Sequence, residues 1–215
     1  MADTLDPATP TRRRRSDARR SIEAIVEAAR TVLGERPDAS MDDLATAAGV
    51  TRQTVYAHFP SRDALILAVV EAAAAEALVA IAAADLDDRP PADALVRFLD
   101  ICWQILDRYP FLLDPALTRI SRSIDTAADR DVAIRLERLI QRGQHTGDFD
   151  RTLPTTWLVA AILGLCRTAA DQVTAGQLTA TEAATLLRDS TMRLCNPAAP
   201  TDRQRATAEP ATSNT

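Results

Sequence analysis

Twelve residues, TRQTVYAHFPSR from Thr51 to Arg62, hold two arginines, a glutamine, a tyrosine, a histidine and three hydroxyl residues without one carboxylate. This set suits recognition of an anionic polymer better than proton transfer. Gln53 can pair bidentately with adenine, the Ala57 methyl can meet a thymine methyl, and the Arg52 fork can reach guanine or phosphate. Thr51, Thr54, Tyr56 and His58 are suited to phosphate contacts, which fix register without reading sequence. An ordinary bundle helix with a polar face would show a similar composition, and the stretch alone leaves that reading open.

Other chemistries find less support. His58 and His145 are the only histidines, and the chain has neither an H-E-x-x-H pair nor a glycine-rich phosphate loop. Cys102, Cys166 and Cys195 are odd in number, far apart and free of any C-x-x-C spacing, which argues against a disulfide framework or a zinc site. Buried reduced thiols are expected, with a redox sensor as the sharper alternative. No catalytic residue, metal or cofactor is implied, and the chain is expected not to be an enzyme. The competing classes are an all-helical enzyme and a sequence-tolerant architectural DNA-binding protein. The latter has no need of a long apolar body.

The elements that must position these residues are helical throughout, because apolar residues recur at three and four and glycine is scarce. A first helix is expected from about Ser16 to Leu33, with Ile22, Ile25, Val26, Ala29, Val32 and Leu33 on its stripe, ended by Gly34 and Pro37. Ser40 and Asp43 form a capping signal for a second, short helix that buries Met41, Leu44, Ala45 and Ala48. Gly49 stops it, and Thr51 caps a third helix whose inward positions are Val55 and Phe59. At 100° per residue, Gln53 and Ala57 then face outward, with Thr54 and Tyr56 on the flanks. Two short helices joined through a glycine turn have the sequence form of a helix-turn-helix.

Ser61 opens a long fourth helix, broken by DLDDRPP, and a fifth runs from Ala92 to Tyr109. Pro110 and Pro115 bracket a short piece, and further helices are expected over about Thr126 to His145, Pro154 to Val173 and Thr179 to Leu194. The last is expected to bury Ala183, Leu186, Leu187, Ser190 and Leu194. The 215 residues carry a net charge of −5, which taken alone speaks against a nucleic-acid partner. Distribution matters more than the sum. All 25 basic residues are arginine, and residues 1–20 set six of them against three aspartates. A solvated tail without a partner would look the same. Glu71 and Glu76 interrupt the most apolar stretch, and the N-terminus carries arginines with no apolar core behind them, so neither a membrane span nor a signal peptide is expected, and the location inferred is cytoplasmic.

The order of an amphipathic helix, a serine-capped helix ending LATAAGV and then TRQTVYAHFPSRDAL closely resembles the DNA-binding domain of TetR-family transcriptional regulators over residues 19–66. The family pattern is met at Ala45, Ala48, Gly49, Val50, Tyr56, Phe59, Ser61, Arg62 and Leu65, with Arg62 where lysine is usual. The resemblance implies an all-α fold: a disordered basic arm at 1–15, a helix-turn-helix domain at 16–62, a ligand-binding and dimerisation domain at 63–195 and a disordered tail at 196–215. It implies a palindromic DNA operator as partner, with Ser40, Thr51, Thr54, Tyr56, His58 and Arg62 on phosphates and Arg52, Gln53 and Ala57 facing bases. Arg12, Arg13, Arg14 and Arg15 would extend along or into the minor groove.

The resemblance further implies a homodimer through the last two helices and a repressor released by a small effector. Trp103, Tyr109, Phe111 and Trp157 could wall a site for a largely apolar molecule, the first three clustering at the proline-rich bend with Arg108 and Asp114. They would serve a hydrophobic core nearly as well.

Overall fold

An arginine- and alanine-rich stretch propagates a helix as far as its composition allows, here through Gly34, the residue expected to end it, to Glu35. In the computed structural model, which describes residues 9–109, 112 and 127–196, α1 spans Thr9–Glu35. It therefore starts at Thr9 and not at Ser16, and part of the arm expected to be disordered is helical. Pro10 does not oppose this, because its missing N–H falls in the first turn, where no intrahelical acceptor exists. Seven more α-helices follow: α2 (Met41–Ala47), α3 (Arg52–His58), α4 (Arg62–Ala82), α5 (Pro91–Arg108), α6 (Ala127–Thr146), α7 (Thr155–Thr174) and α8 (Ala180–Cys195). A 3-10 turn at Leu86–Asp88 joins α4 to α5. The described residues contain no strand. The tail beyond Asn196 lies outside them.

Two large hydrophobic cores and a smaller cluster between α5, α7 and α8 organise these helices. The first is built from Ile25, Ala29 and Leu33 of α1, Met41, Leu44 and Ala45 of α2, Val55 of α3, Phe59, and the Leu65–Ala73 half of α4. Ile22, expected on the same stripe, is 39% exposed because it lies beyond this packed set. The second core takes Ile81 from α4, Leu95, Phe98 and Leu99 from α5, Leu136 and Ile140 from α6, Leu158 and Ile162 from α7, and Cys195 from α8. Here α6 closes tightly on its own loop: a Cβ at Gly143 would overlap the buried ring of Phe149.

By length and composition α4 could cross a membrane. Its apolar face is instead divided between the two cores. The inward stripe of α8 also differs from expectation: Ala183, Leu187, Thr191 and Cys195 are buried, while Leu186 is half exposed. Apolar residues occupy two faces of this helix, so periodicity alone could not say which one the monomer covers.

Candidate nucleic-acid interface and the regulatory body

The turn that presents α3 is set by backbone hydrogen bonds. Gly49 has φ +67° and donates its N–H to the Thr46 carbonyl at 3.1 Å, while the N–H of Val50 reaches the Ala45 carbonyl at 3.0 Å. This paired closure terminates α2 and needs a residue at ease in the left-handed region. On the entry side of α2, Ser40 Oγ accepts from the Asp43 N–H, and the Asp43 carboxylate accepts from the Ser40 N–H at 2.9 Å and hydroxyl at 2.7 Å. Those two bonds to Ser40 hold the Asp43 carboxyl below its usual range. Thr51 caps α3 by accepting from the Thr54 N–H at 3.1 Å.

Held this way, α3 buries Val55 completely, with Phe59 following it into the core, and turns Arg52, Gln53, Tyr56 and Ala57 to the outside. Thr54 and His58 are half-buried on its flanks. The expected recognition face is thus assembled on one surface. Arg52 does not extend freely from it: Nη1 pairs with the Asp42 carboxylate of α2 at 2.8 Å, and the guanidinium lies over the Tyr56 ring, 5.3 Å from its centroid. The sequence reading missed Asp42, whose position in the first turn of α2 marks it only as a helix-dipole partner.

Four expected phosphate contacts are otherwise engaged, the Ser40 hydroxyl by its bonds with Asp43. Thr51 shares its hydroxyl with that of Thr54 at 2.8 Å. Arg62 is half-buried and donates to the carbonyls of Pro37 and Ala39, the Ala39 bond being 3.3 Å, so its charge braces the turn between α1 and α2. Carbonyls left without helical partners are strong local acceptors, and the Arg62 fork at the start of α4 satisfies two of them. Arg12, Arg13, Arg14 and Arg15 lie within α1.

Of the four residues expected to wall a ligand site, the three that are described, Trp103, Tyr109 and Trp157, lie in different surroundings. Trp103 packs with Leu165, Cys166 and Val173 against Ala169, Ala183 and Leu187, between α5, α7 and α8. Tyr109 is buried in the first core, and Trp157 points outward from the first turn of α7 with 60% of its surface exposed. Phe111 and Asp114 lie outside the described residues. An open groove of about 590 Å³ beside Gln141, His145, Arg151 and Thr155 includes none of the three. The spread follows from geometry: Trp103 and Tyr109 sit on the same helix but at heights served by different cores.

Of the three thiols, Cys195 is fully buried and Cys102 and Cys166 are half-buried. Burial pushes the Cys102 thiol up to about 12 and those of Cys166 and Cys195 to about 11, which disfavours the reactive thiolate. Two buried polar atoms among the described residues have no hydrogen-bond partner: Arg142 Nε and the Thr191 hydroxyl in the inward stripe of α8. No group of potential metal ligands occurs among the described residues.

Two capped helices set at a left-handed glycine, braced by a long first helix and followed by a second helical core, define an all-α protein with an N-terminal helix-turn-helix. Residues 25–69 match the family described as bacterial regulatory proteins, tetR family, and the N-terminal domain of the chain belongs to that family. Two curated relatives align over part of the chain. The transcriptional repressor LfrR of Mycolicibacterium smegmatis is 37% identical over 81 residues, 38% of this chain and 43% of LfrR. The transcriptional regulator EthR of Mycobacterium tuberculosis is 44% identical over 50 residues, 22% of this chain and 23% of EthR. The chain thus spans less than half the length of the curated relatives it matches.

Solved structures extend the likeness in fold to both cores. The fatty acid degradation regulator FadR of Bacillus halodurans superposes with a TM-score of 0.69 at 17% identity, covering 80% of this chain and 94% of that one. LfrR of Mycobacterium smegmatis in complex with proflavine superposes with a TM-score of 0.53 at 24% identity, covering 81% and 96%.

Proposed function

We propose that the protein is a homodimeric, ligand-responsive transcriptional regulator, a cytoplasmic repressor that binds a palindromic operator and is released by a small, largely apolar effector. The observation that carries this reading is the outward face of α3, where Arg52, Gln53, Tyr56 and Ala57 stand exposed over a buried Val55 on a twice-capped frame. Gln53 and Ala57 would read base edges, with Arg52 beside them. Ser40, Thr51, Thr54, Tyr56 and His58 would fix the register on phosphates, and Arg13, Arg14 and Arg15 would add contacts from α1. Arg62 acts on this reading mainly by shaping the turn.

Dimerisation is supported by α7 and α8, which pack on each other and still expose Trp157 and Leu186. A large aromatic and a leucine on an outward face are costly in water and economical in an interface. Two copies would place their α3 helices in successive major grooves, about 34–36 Å apart. The effector reading draws on LfrR, a solved structure of similar fold that holds proflavine. That relatives are named as regulators favours a non-enzymatic role.

Selection of bound fragments from random DNA, followed by sequencing, tests the reading. The expected product is an inverted repeat whose half-sites lie about one helical turn apart. Recovery of fragments with no shared word, at affinities that depend only on salt, would support an architectural DNA-binding protein instead.

A further inference from the structure

The last turn of α5 leaves the core in which the helix begins. Phe98, Leu99 and Ile101 are buried in the second core, but Tyr109 is 5% exposed within the first, with Ile105 and Leu112 packed beside it. A tyrosine so placed must satisfy its hydroxyl. It donates to Glu76 Oε2 of α4 at 2.8 Å, and Arg108 Nη1 pairs with the other oxygen of the same carboxylate at 2.7 Å. From α1, Arg30 lies over the Tyr109 ring, 5.7 Å from its centroid, and donates to the Arg108 carbonyl at 3.2 Å. Glu27 completes the set by accepting from Arg30 Nε at 3.0 Å.

One residue of the regulatory body is therefore seated in the DNA-binding domain and held by polar contacts from both helices that frame it. We propose that Tyr109 and Glu76 form a latch through which the second core and the helix-turn-helix core hold or yield together. Two features favour transmission over simple filling. The α5 helix is continuous from Phe98 to Arg108, so a shift among the second-core residues must displace its far end. The receiving site is bidentate, with one carboxylate taking a hydroxyl and a guanidinium, so a small displacement breaks both contacts together. Packing alone would call for a phenylalanine.

The inference that the latch carries the effector signal rests on the regulator reading above, whereas the coupling of the two cores does not. Urea unfolding of the full chain reads both cores separately. Both tryptophans belong to the second body, so their fluorescence follows it, and hydrogen exchange at residues 41–58 follows the first. The two midpoints are expected to coincide in the unaltered protein and to separate by about 0.5 M in Tyr109→Phe and in Glu76→Gln. Val55→Ala, which weakens the first core away from the latch, is expected to move both midpoints together.

Coincident midpoints in Tyr109→Phe and Glu76→Gln would overturn the proposal and leave Tyr109 as a core residue. The second arm adds an operator obtained by selection, which should raise both midpoints in the unaltered protein and only the first in the two variants. If no DNA is bound at all, the regulator reading fails, and the DNA-free arm still decides the latch.

Discussion

Arg52 carries opposite instructions from its two neighbours. The Asp42 carboxylate holds its charge beside α2, and the Tyr56 ring supports its planar face, so the fork is oriented before any DNA arrives. Exposed ion pairs of this kind contribute little to stability. The function proposed for Asp42 is therefore restraint on promiscuous phosphate contact. Asp42→Asn is expected to raise affinity for unrelated DNA and to steepen the salt dependence by about one unit of log–log slope. Gln53→Ala should instead weaken binding to the selected site by about 1–3 kcal/mol and relax preference at one position. Anisotropy titrations across a salt series separate these effects, and an unchanged slope in Asp42→Asn would assign the pair a purely local role. The recognition face was legible in the sequence because Val55 and Phe59 define an inward stripe on α3, which fixes the opposite side by rotation. The partners of Arg52 and Arg62 were not, since Asp42 and the Pro37 and Ala39 carbonyls come near only once the turns have closed.

At the scale of elements, the sequence carried caps and breaks more faithfully than it carried faces. Ser40, Thr51, Ser61 and Thr179 each cap the helix expected of them, because a cap is a contact across three residues and needs no tertiary structure. The inward face of α8 was misjudged because apolar residues lie on both sides, and the start of α1 because no breaker follows Pro10. Gly49→Ala isolates the turn: a Cβ there would touch nothing within 4 Å, so any loss comes from the φ of +67°. Denaturation should show a loss of about 1–2 kcal/mol, and Gly49→Asn should recover part of it.

The capping carboxylates add a pH dependence. Asp43 and Glu182 are both held below their ordinary values by hydrogen bonds from the residue they cap. Their folded-state values are depressed, so their contribution is present above the unfolded carboxylate range and disappears as pH falls through the folded values. Melting temperature should decline on acidification below pH ~4, and Asp43→Asn with Glu182→Gln should flatten that decline.

For the whole molecule, the two cores are separate in side chains and joined in backbone, because α4 and α5 each contribute to both. This division was beyond reach of periodicity, which sees a continuous stripe on α5 and cannot tell that its final turn enters another core. It also explains why the three described aromatics lie apart: Trp103 packs between α5, α7 and α8, Tyr109 in the first core, and Trp157 at the surface. The outward faces of α7 and α8 contribute to neither core at Trp157 and Leu186, which makes the proposed dimer separable from the fold. Charged replacements at these two positions leave every core contact in place. The pair Trp157→Glu and Leu186→Glu is therefore expected to keep the melting behaviour of a folded chain while sedimenting as a monomer at micromolar concentration. Binding to a full inverted repeat should then fall toward the affinity for a single half-site, because the second recognition helix no longer arrives with the first. A double variant that remains dimeric, or a monomer that binds the repeat undiminished, would remove α7 and α8 from the proposed assembly.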